Sequence, residues 1–318
     1  MPTNAAALAT GAVLFDRRVR LVIAPPMLGS LKFVKTQQAF TVEDLKVKFK
    51  LAKSLRKEPN TGQIEVWGLD ASHRGMLQGK GARCWLEAGY KSGTFQLFGG
   101  DIRFPGHRHD GPEWIAKLEL GDGERAYKHG RCNVAFKGGT SKYDVLKELA
   151  RQSGWDLGNV TDFAASLGIE QYTNGYSASG SVVGAIDELL NGQGLSWSIQ
   201  GGKIQILPLA GFVGTATQVV QLDADHGLIG SPEYGASQKP GTVPSLKVKS
   251  LIQPGLDPGK LINLVSEDHK GVFIIQKVDI DGDSEGGDWY CACEVLPQGG
   301  QRGKAGKAAK ARKTVSKR

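Results

Sequence analysis

The chain has 318 residues, enough for two or three domains each with its own core, and carries 40 Lys and Arg against 32 Asp and Glu, a formal charge of +8. Eight of the basic residues, Arg302, Lys304, Lys307, Lys310, Arg312, Lys313, Lys317 and Arg318, fall in the last 17 positions with no acidic residue among them, which leaves 32 of each sign in residues 1–301. A neutral body argues against a folded nucleic-acid-binding face, and no apolar run approaches the ~20 residues of a membrane helix.

The N-terminus lacks a basic segment followed by an apolar core, which speaks against a secretory signal. From residue 17 to 136 the dominant period is two. Leu45, Val47, Phe49 and Leu51 alternate with Lys46, Lys48 and Lys50, the pattern of a strand with one buried and one wet face. Runs of the same kind occupy residues 19–23, 31–35, 63–67, 83–88, 94–98, 113–120 and 131–136. Most are separated by turns containing Gly or Pro, and the 44 glycines show no collagen-like period. Many short strands so punctuated predict a barrel or sandwich.

The period changes at Thr140. Ser141 with Asp144 resembles a capping box, and Tyr143, Leu146, Leu149 and Ala150 form a helical stripe that ends at Gly154. A second helix is predicted after Ser181, with Val182, Val183, Ile186, Leu189 and Leu190 on one face and Asn191-Gly192 as its stop. Leu195, Trp197 and Ile199 then alternate, Gly201-Gly202 turns the chain, and residues 203–207 return as a hairpin. Period two resumes at residues 217–222, 246–251, 260–265, 272–280 and 288–296. Beyond residue 298 the chain is Gly, Lys, Ala and Arg with almost no apolar bulk, too little to offset the entropy of ordering. The fold class expected is mainly β, two antiparallel β-barrels flanking a small helix–hairpin α+β domain, divided as 12–138, 139–209, 210–297 and a basic tail 298–318.

The two β regions share landmarks. Gly79-Lys80, Gly93-Thr94-Phe95 and Glu113-Trp114 running to Glu119-Leu120 recur as Gly259-Lys260, Gly271-Val272-Phe273 and Asp288-Trp289 running to Glu294-Val295. A polar hairpin tip lies between Phe and Trp in each copy, at 106–111 and 281–287. Two similar barrels in one chain would let a trimer present six near-equivalent positions to a sixfold partner.

Chemical motifs are sparse. Asp281-Gly282-Asp283-Ser284-Glu285-Gly286 begins like a calcium loop, but its twelfth position is Ala292 and its flanks are strands, so a solvated hairpin tip is expected. His107-Arg108-His109-Asp110 reads as an exposed polar turn. The glycines of 175–184 lack the spacing of a phosphate loop and suit close packing and a helix N-cap. Cys84, Cys132, Cys291 and Cys293 form no CxxC pair and read as small buried residues, Cys291 and Cys293 on one strand face. The Lys46, Lys48 and Lys50 face, with Arg18, Arg20, Lys32 and Lys35, reads as a solvent face balanced by acidic neighbours. No catalytic, cofactor-binding or metal-ligating set is nominated. The eight basic residues of the tail are the candidate contact to nucleic acid or an acidic partner.

Asp225-His226-Gly227-Leu228-Ile229-Gly230-Ser231-Pro232-Glu233-Tyr234, followed by Val248-Lys249-Ser250-Leu251-Ile252-Gln253-Pro254-Gly255-Leu256-Asp257-Pro258-Gly259-Lys260, resembles a signature of the Mu-like baseplate or tail hub family of contractile-tailed phages. Gly271-Val272-Phe273 and the later Gly286-Gly287-Asp288-Trp289 are similar to that family's ending. The resemblance is most specific over residues 220–297 and leaves the basic tail outside. It implies a non-enzymatic virion protein, made in the host cytoplasm. The expected assembly is a homotrimer joining a sixfold tail tube, or a tube-initiator or distal tail protein, to a threefold central spike. A central lumen would pass the tape-measure protein and then DNA, with no membrane insertion and no cofactor. Two alternatives from other classes are a tail-associated cell-wall-degrading enzyme, which needs an acidic pair in a groove, and a nucleic-acid binder acting through its basic tail.

Overall fold

Alternation of apolar and polar residues shapes most of this chain, and its computed structural model describes residues 14–24, 39–77, 81–208, 211–212, 219–235 and 244–298. The strand expected at 31–35, with Lys32 and Lys35, and all eight basic tail residues lie outside the described residues. Among the described residues no helix is long and apolar enough to cross a membrane.

The first β unit contains β1 (Arg17–Ala24), β2 (Phe40–Val42), β3 (Val47–Ser54), β4 (Thr61–Trp67), a short α1 (Ala71–Leu77), β5 (Arg83–Tyr90), β6 (Gly93–Asp110) and β7 (Glu113–Gly121). In β3, Val47, Phe49 and Leu51 point inward while Lys48 and Lys50 face out, as the alternation requires.

The α+β insert follows: α2 (Glu124–His129), β8 (Arg131–Phe136), β9 (Thr140–Ser141), α3 (Lys142–Ser153), α4 (Ala164–Ile169), β10 (Gln171–Tyr172), β11 (Tyr176–Ser181), α5 (Val182–Leu190), β12 (Leu195–Gln200) and β13 (Lys203–Pro208). Both predicted caps form. Ser141 Oγ accepts from the Asp144 backbone N–H at 3.1 Å and donates to its carboxylate at 2.6 Å, and α3 ends at left-handed Gly154. Ser181 caps α5 by accepting from Gly184 N–H. The strand β8 leaves the period-two run before it and pairs with β11, across more than 40 residues of chain. Val134, Leu146, Leu149, Trp155, Ile186, Trp197 and Ile204 close a core of their own.

The second β unit is β14 (Val219–Leu222), β15 (Leu228–Tyr234), β16 (Leu246–Leu251), β17 (Leu261–Val265), β18 (Lys270–Asp283) and β19 (Trp289–Pro297). Its spatial order is β15-β16-β19-β18-β17-β14. That of the first unit is β3-β4-β7-β6-β5-β1, with β2 added at the end. The orders match strand for strand.

So do the irregularities. In β6 Arg103 is an extra residue opposite Glu119-Leu120, and in β18 Gln276 is an extra residue opposite Glu294-Val295. The landmark pairs seen in the sequence are thus the two bulge sites. Three features break the match: β1 runs antiparallel to β5 whereas β14 runs parallel to β17, and the register shifts in the β5–β6 and β15–β16 pairings have no counterpart in the other unit.

The units share one sheet and one core. Thirteen strands among the described residues form a continuous sheet. Leu21, Phe49, Ile64, Leu86 and Leu118 of the first unit belong to the same buried cluster as Val248, Ile262, Val278, Cys291 and Cys293 of the second. Each such side chain removed from water contributes about 1.5–3 kcal/mol. All four cysteines are buried and free, Cys291 and Cys293 on one face of β19 as expected. Burial pushes the Cys293 thiol up to about 12.

Candidate interaction surfaces

The join between the units is made by β18, a strand of fourteen residues that changes partner midway. Its first part pairs with β17, from Lys270 opposite Val265 to Ile274 opposite Leu261. After the Gln276 bulge the second part pairs with β3, from Lys277 opposite Ser54 to Asp283 opposite Lys48. The extra residue turns the strand away from β17 and exposes its edge to β3.

Side chains lock the join. Leu51 and Ile280 face each other across it and are each 2% exposed. Gly282 lies opposite Phe49, and a Cβ there would stand 2.1 Å from Phe49 Cζ, so only glycine lets that ring lie across the strand. The ring in turn packs edge-on to Trp289 at 5.8 Å between centroids. Lys53, 8% exposed, donates to the Leu97 carbonyl of β6 at 3.1 Å and pairs with Asp257 of the second unit. Asp257 sits in the segment between β16 and β17 that contains Pro254 and Pro258. That segment is packed down, with Ile252 and Leu256 buried and the Pro258 carbonyl accepting from Gln205 of the insert.

The hairpin tip at 281–287 differs from the solvated loop expected of it. Glu285, Gly286 and Gly287 are exposed, but Ser284 exchanges two hydrogen bonds of 3.0 Å with the Val47 backbone. Arg17 donates to the Asp283 and Gly287 carbonyls. The tip is therefore a clasp on the start of β3. Among the described residues no group of three or more His, Cys, Asp or Glu side chains is placed to hold a metal ion.

A second clamp ties the insert to the sheet. Asp122, buried at the end of β7, accepts from the Gly201 and Gly202 N–H groups at 2.6 Å each. Asn60 donates to Asp122, to the Ile199 carbonyl and to Gln200, whose own amide donates to the Ser54 carbonyl. Burial pushes the Asp122 carboxyl up, while these donors act to lower it.

The outward face of the sheet runs unbroken across the join and is charge-balanced. Lys50 meets Asp281 at 3.4 Å, Lys46 meets Glu285 at 3.8 Å, and Arg20 meets Glu43 and Glu87. Lys48 stands opposite Glu65, Glu65 opposite Lys117, and Lys247 opposite Glu294. The lysine face is thus a neutralised wet wall, as the composition suggested. A shallow trough of about 580 Å³ spans the join, lined by Lys50, Gln63, Arg103, Glu119, Asp279 and Asp281. Asp281 is paired with Lys50 and Asp279 with Lys277. The trough offers paired charges on a wet wall.

His107, Arg108, His109 and Asp110 are not in a turn. They continue β6 to its end, and the turn is Gly111-Pro112 alone. His109 packs against Trp114 with the rings tilted by 44°, and Arg74 lies over the same indole at 4.4 Å. Both ring nitrogens of His107 are buried without a hydrogen-bond partner, and burial, then nearby Arg74, pushes its pKa down. Sequence reasoning also missed β15 as a strand. Its alternation is broken by Gly230-Ser231-Pro232, where the pairing with β16 shifts register.

No protein-family model matches the sequence, nor does any curated protein. Solved structures do share the fold. A 43 kDa tail protein of prophage MuSo2 from Shewanella oneidensis aligns with a TM-score of 0.58 at 8% identity, covering 88% of this chain and 97% of its own. A tail protein from Neisseria meningitidis aligns at 0.55 and 9% identity, covering 87% and 96%. An E. coli component of the type VI secretion system, described as similar to the T4 bacteriophage tail proteins gp27 and gp5, aligns at 0.53 and 12% identity over 80% and 73%. The mainly β architecture with its α+β insert is the fold of these tail proteins.

Proposed function

We propose that this chain is a structural hub of a phage tail, an adaptor between a sixfold tube and a threefold spike. One observation carries the reading. A single chain holds two β units with the same strand order and the same bulge, joined edge to edge in one sheet. Three such chains in a ring supply six similar units, which meets a sixfold tube, while the chain itself repeats only three times, which meets a threefold spike. The tail-protein fold supports this, as does the hub-like signature at residues 225–260.

In this reading the charge-balanced sheet face suits a lumen wall. Its lysines are neutralised by carboxylates, so a polyanion such as DNA, or the tape-measure protein before it, passes without being held. The basic residues Arg302, Lys304, Lys307, Lys310, Arg312, Lys313, Lys317 and Arg318 are then the place for a contact the neutral body does not make, to DNA or to an acidic neighbour. The virion is the location and the spike and tube proteins are the partners.

The test is mass and place. Light scattering on the purified chain, together with immunolabelling of intact tails, is expected to give about three times 34.0 kDa and a label at one end of the tube. A stable monomer that is absent from assembled tails overturns the reading.

A further inference from the structure

The chain contains two Asn-Gly steps, Asn174-Gly175 and Asn191-Gly192, both in the α+β insert. At such a step the backbone nitrogen of the glycine can attack the side-chain amide of the asparagine, because no Cβ shields the approach. The attack needs that nitrogen free of other bonds and its backbone free to turn. Both asparagines are exposed, but the fold treats the two glycines differently.

Asn174 sits in the turn between β10 and β11, and this turn is pinned. The Gly175 N–H donates to the Tyr172 carbonyl at 3.2 Å, and the same carbonyl accepts from the Gly139 N–H at 2.9 Å. A Cβ on Gly175 would stand 2.5 Å from the Phe136 carbonyl oxygen, so the glycine is pressed against the end of β8.

Asn191 follows the last residue of α5. Its own N–H donates to the Glu188 carbonyl and the Gln193 N–H donates to the Leu190 carbonyl, each at 3.2 Å. Between them the Gly192 N–H donates to nothing among the described residues. Gly192 is exposed, and a Cβ on it or on Gly194 would meet nothing within 4 Å. Asn191 holds ψ at 132°, and rotation about this bond and χ1 carries the Gly192 nitrogen onto Asn191 Cγ. The rotation is opposed by the two hydrogen bonds of Gln193, to the Leu190 carbonyl and to Glu170 at 2.9 Å, and by no hydrogen bond of Gly192 itself.

We propose that Asn191 is a site of spontaneous deamidation, at which the Gly192 nitrogen displaces ammonia from the Asn191 side chain, and that Asn174 is protected from the same reaction. The Gly192 N–H gives its proton to water, its nitrogen bonds to Cγ, and the Cγ–Nδ2 bond breaks with release of ammonia. The cyclic imide then takes up one water. Opening at Cγ leaves aspartate, and opening at the main-chain carbonyl leaves isoaspartate, with the chain running through Cγ. In sum, amide and water become acid and ammonia. The new carboxylate lies at the negative end of α5, close to Glu188, in a last turn without a basic residue. Leu189 and Leu190 of that turn are buried in the insert's own core, so conversion weakens the insert first.

Ageing the purified full-length chain in mildly alkaline buffer, followed by peptide mapping with mass spectrometry, reads both sites in one sample. Conversion at Asn191 is expected to run about tenfold ahead of Asn174, the equivalent of one hydrogen bond, with isoaspartate among the products. In denaturant the pinning is gone and the two rates should come together. Equal rates in the folded chain, a gap that persists in denaturant, or no conversion at Asn191 overturns the proposal. Gly192→Ala restores a Cβ, but alanine is strained at the Gly192 φ of 78°, so this variant is read in denaturant. Slower conversion at Asn191 there supports the attack by the residue 192 nitrogen, and an unchanged rate contradicts it. Asn191→Asp carries the product charge and should lower the denaturation midpoint. An unchanged midpoint contradicts the effect on α5.

Discussion

The two β units are built on one strand order and differ in what lies against their edges. In the second unit the late half of β18 is covered by β3, and the residues at that join are among the most buried in the chain. In the first unit the late half of β6 pairs with β7 on one side and with no strand of the described residues on the other, and the residues at equivalent positions are a histidine with unpartnered nitrogens, an arginine and another histidine. The difference teaches that sequence divergence between the repeats follows occupancy. Where the edge is closed inside the chain, the inward positions are Val278, Ile280 and Gly282. Where it is open, the equivalent positions are Pro105, His107 and His109. The second difference is that β14 runs parallel to β17 where β1 runs antiparallel to β5.

The largest effect expected of breaking this comparison is at the apolar pair. Leu51→Ala should cost about 3 kcal/mol in chemical denaturation, because Leu51 is buried in a join that cannot collapse without moving two units. Tyr234→Ala, at the equivalent open position in β15, should stay within about 0.5 kcal/mol. Equal costs at the two sites would mean that coverage of the edge does not separate the two units.

Glycine provides the next contrast. Gly282→Val drives a side chain into the Phe49 ring and should cost about 2 kcal/mol, measured as a fall in the denaturation midpoint. His109→Ala, its counterpart, should cost well under 1 kcal/mol, since it loses only packing against a half-exposed Trp114.

The smallest effect is a pH dependence. His107 has a folded-state pKa below its ordinary 6.5, so the stability it permits is present above pH 6.5 and is lost as the pH falls toward the folded value. His107→Ile, which copies Ile280, removes the unpartnered ring nitrogens and should flatten the decline below pH 6.5. A variant whose acid decline matches the parent would remove His107 as its source.

Much of the fold is legible in the sequence because most strands have one buried face. Leu45 to Leu51, the runs around Trp67, Cys84 and Val248, and the cysteine pair in β19 all reveal themselves by alternation. The caps at Ser141, Gly154 and Ser181 are equally readable, since each is a local hydrogen-bonding problem with a local answer. The repeat was visible at Trp114 and Trp289 because those residues mark fixed distances from a bulge.

What could not be read shares one cause. Residues 107–110 are polar at every position, so no alternation marks them as a strand and they passed for a turn. The strand β15 was hidden by Gly230 and Pro232, residues that suit an open edge and break a pattern search. Pairing of β8 with β11, and of β18 with β3, joins segments separated by 40 to more than 200 residues. Such contacts leave no periodic trace in either segment.

The account stands most directly on the symmetry of the assembled protein. Electron microscopy of the purified chain, reconstructed without imposed symmetry, should show a closed ring with six similar β units that repeats exactly only every 120°. A ring of six whole chains, or isolated particles carrying two β units each, would contradict it.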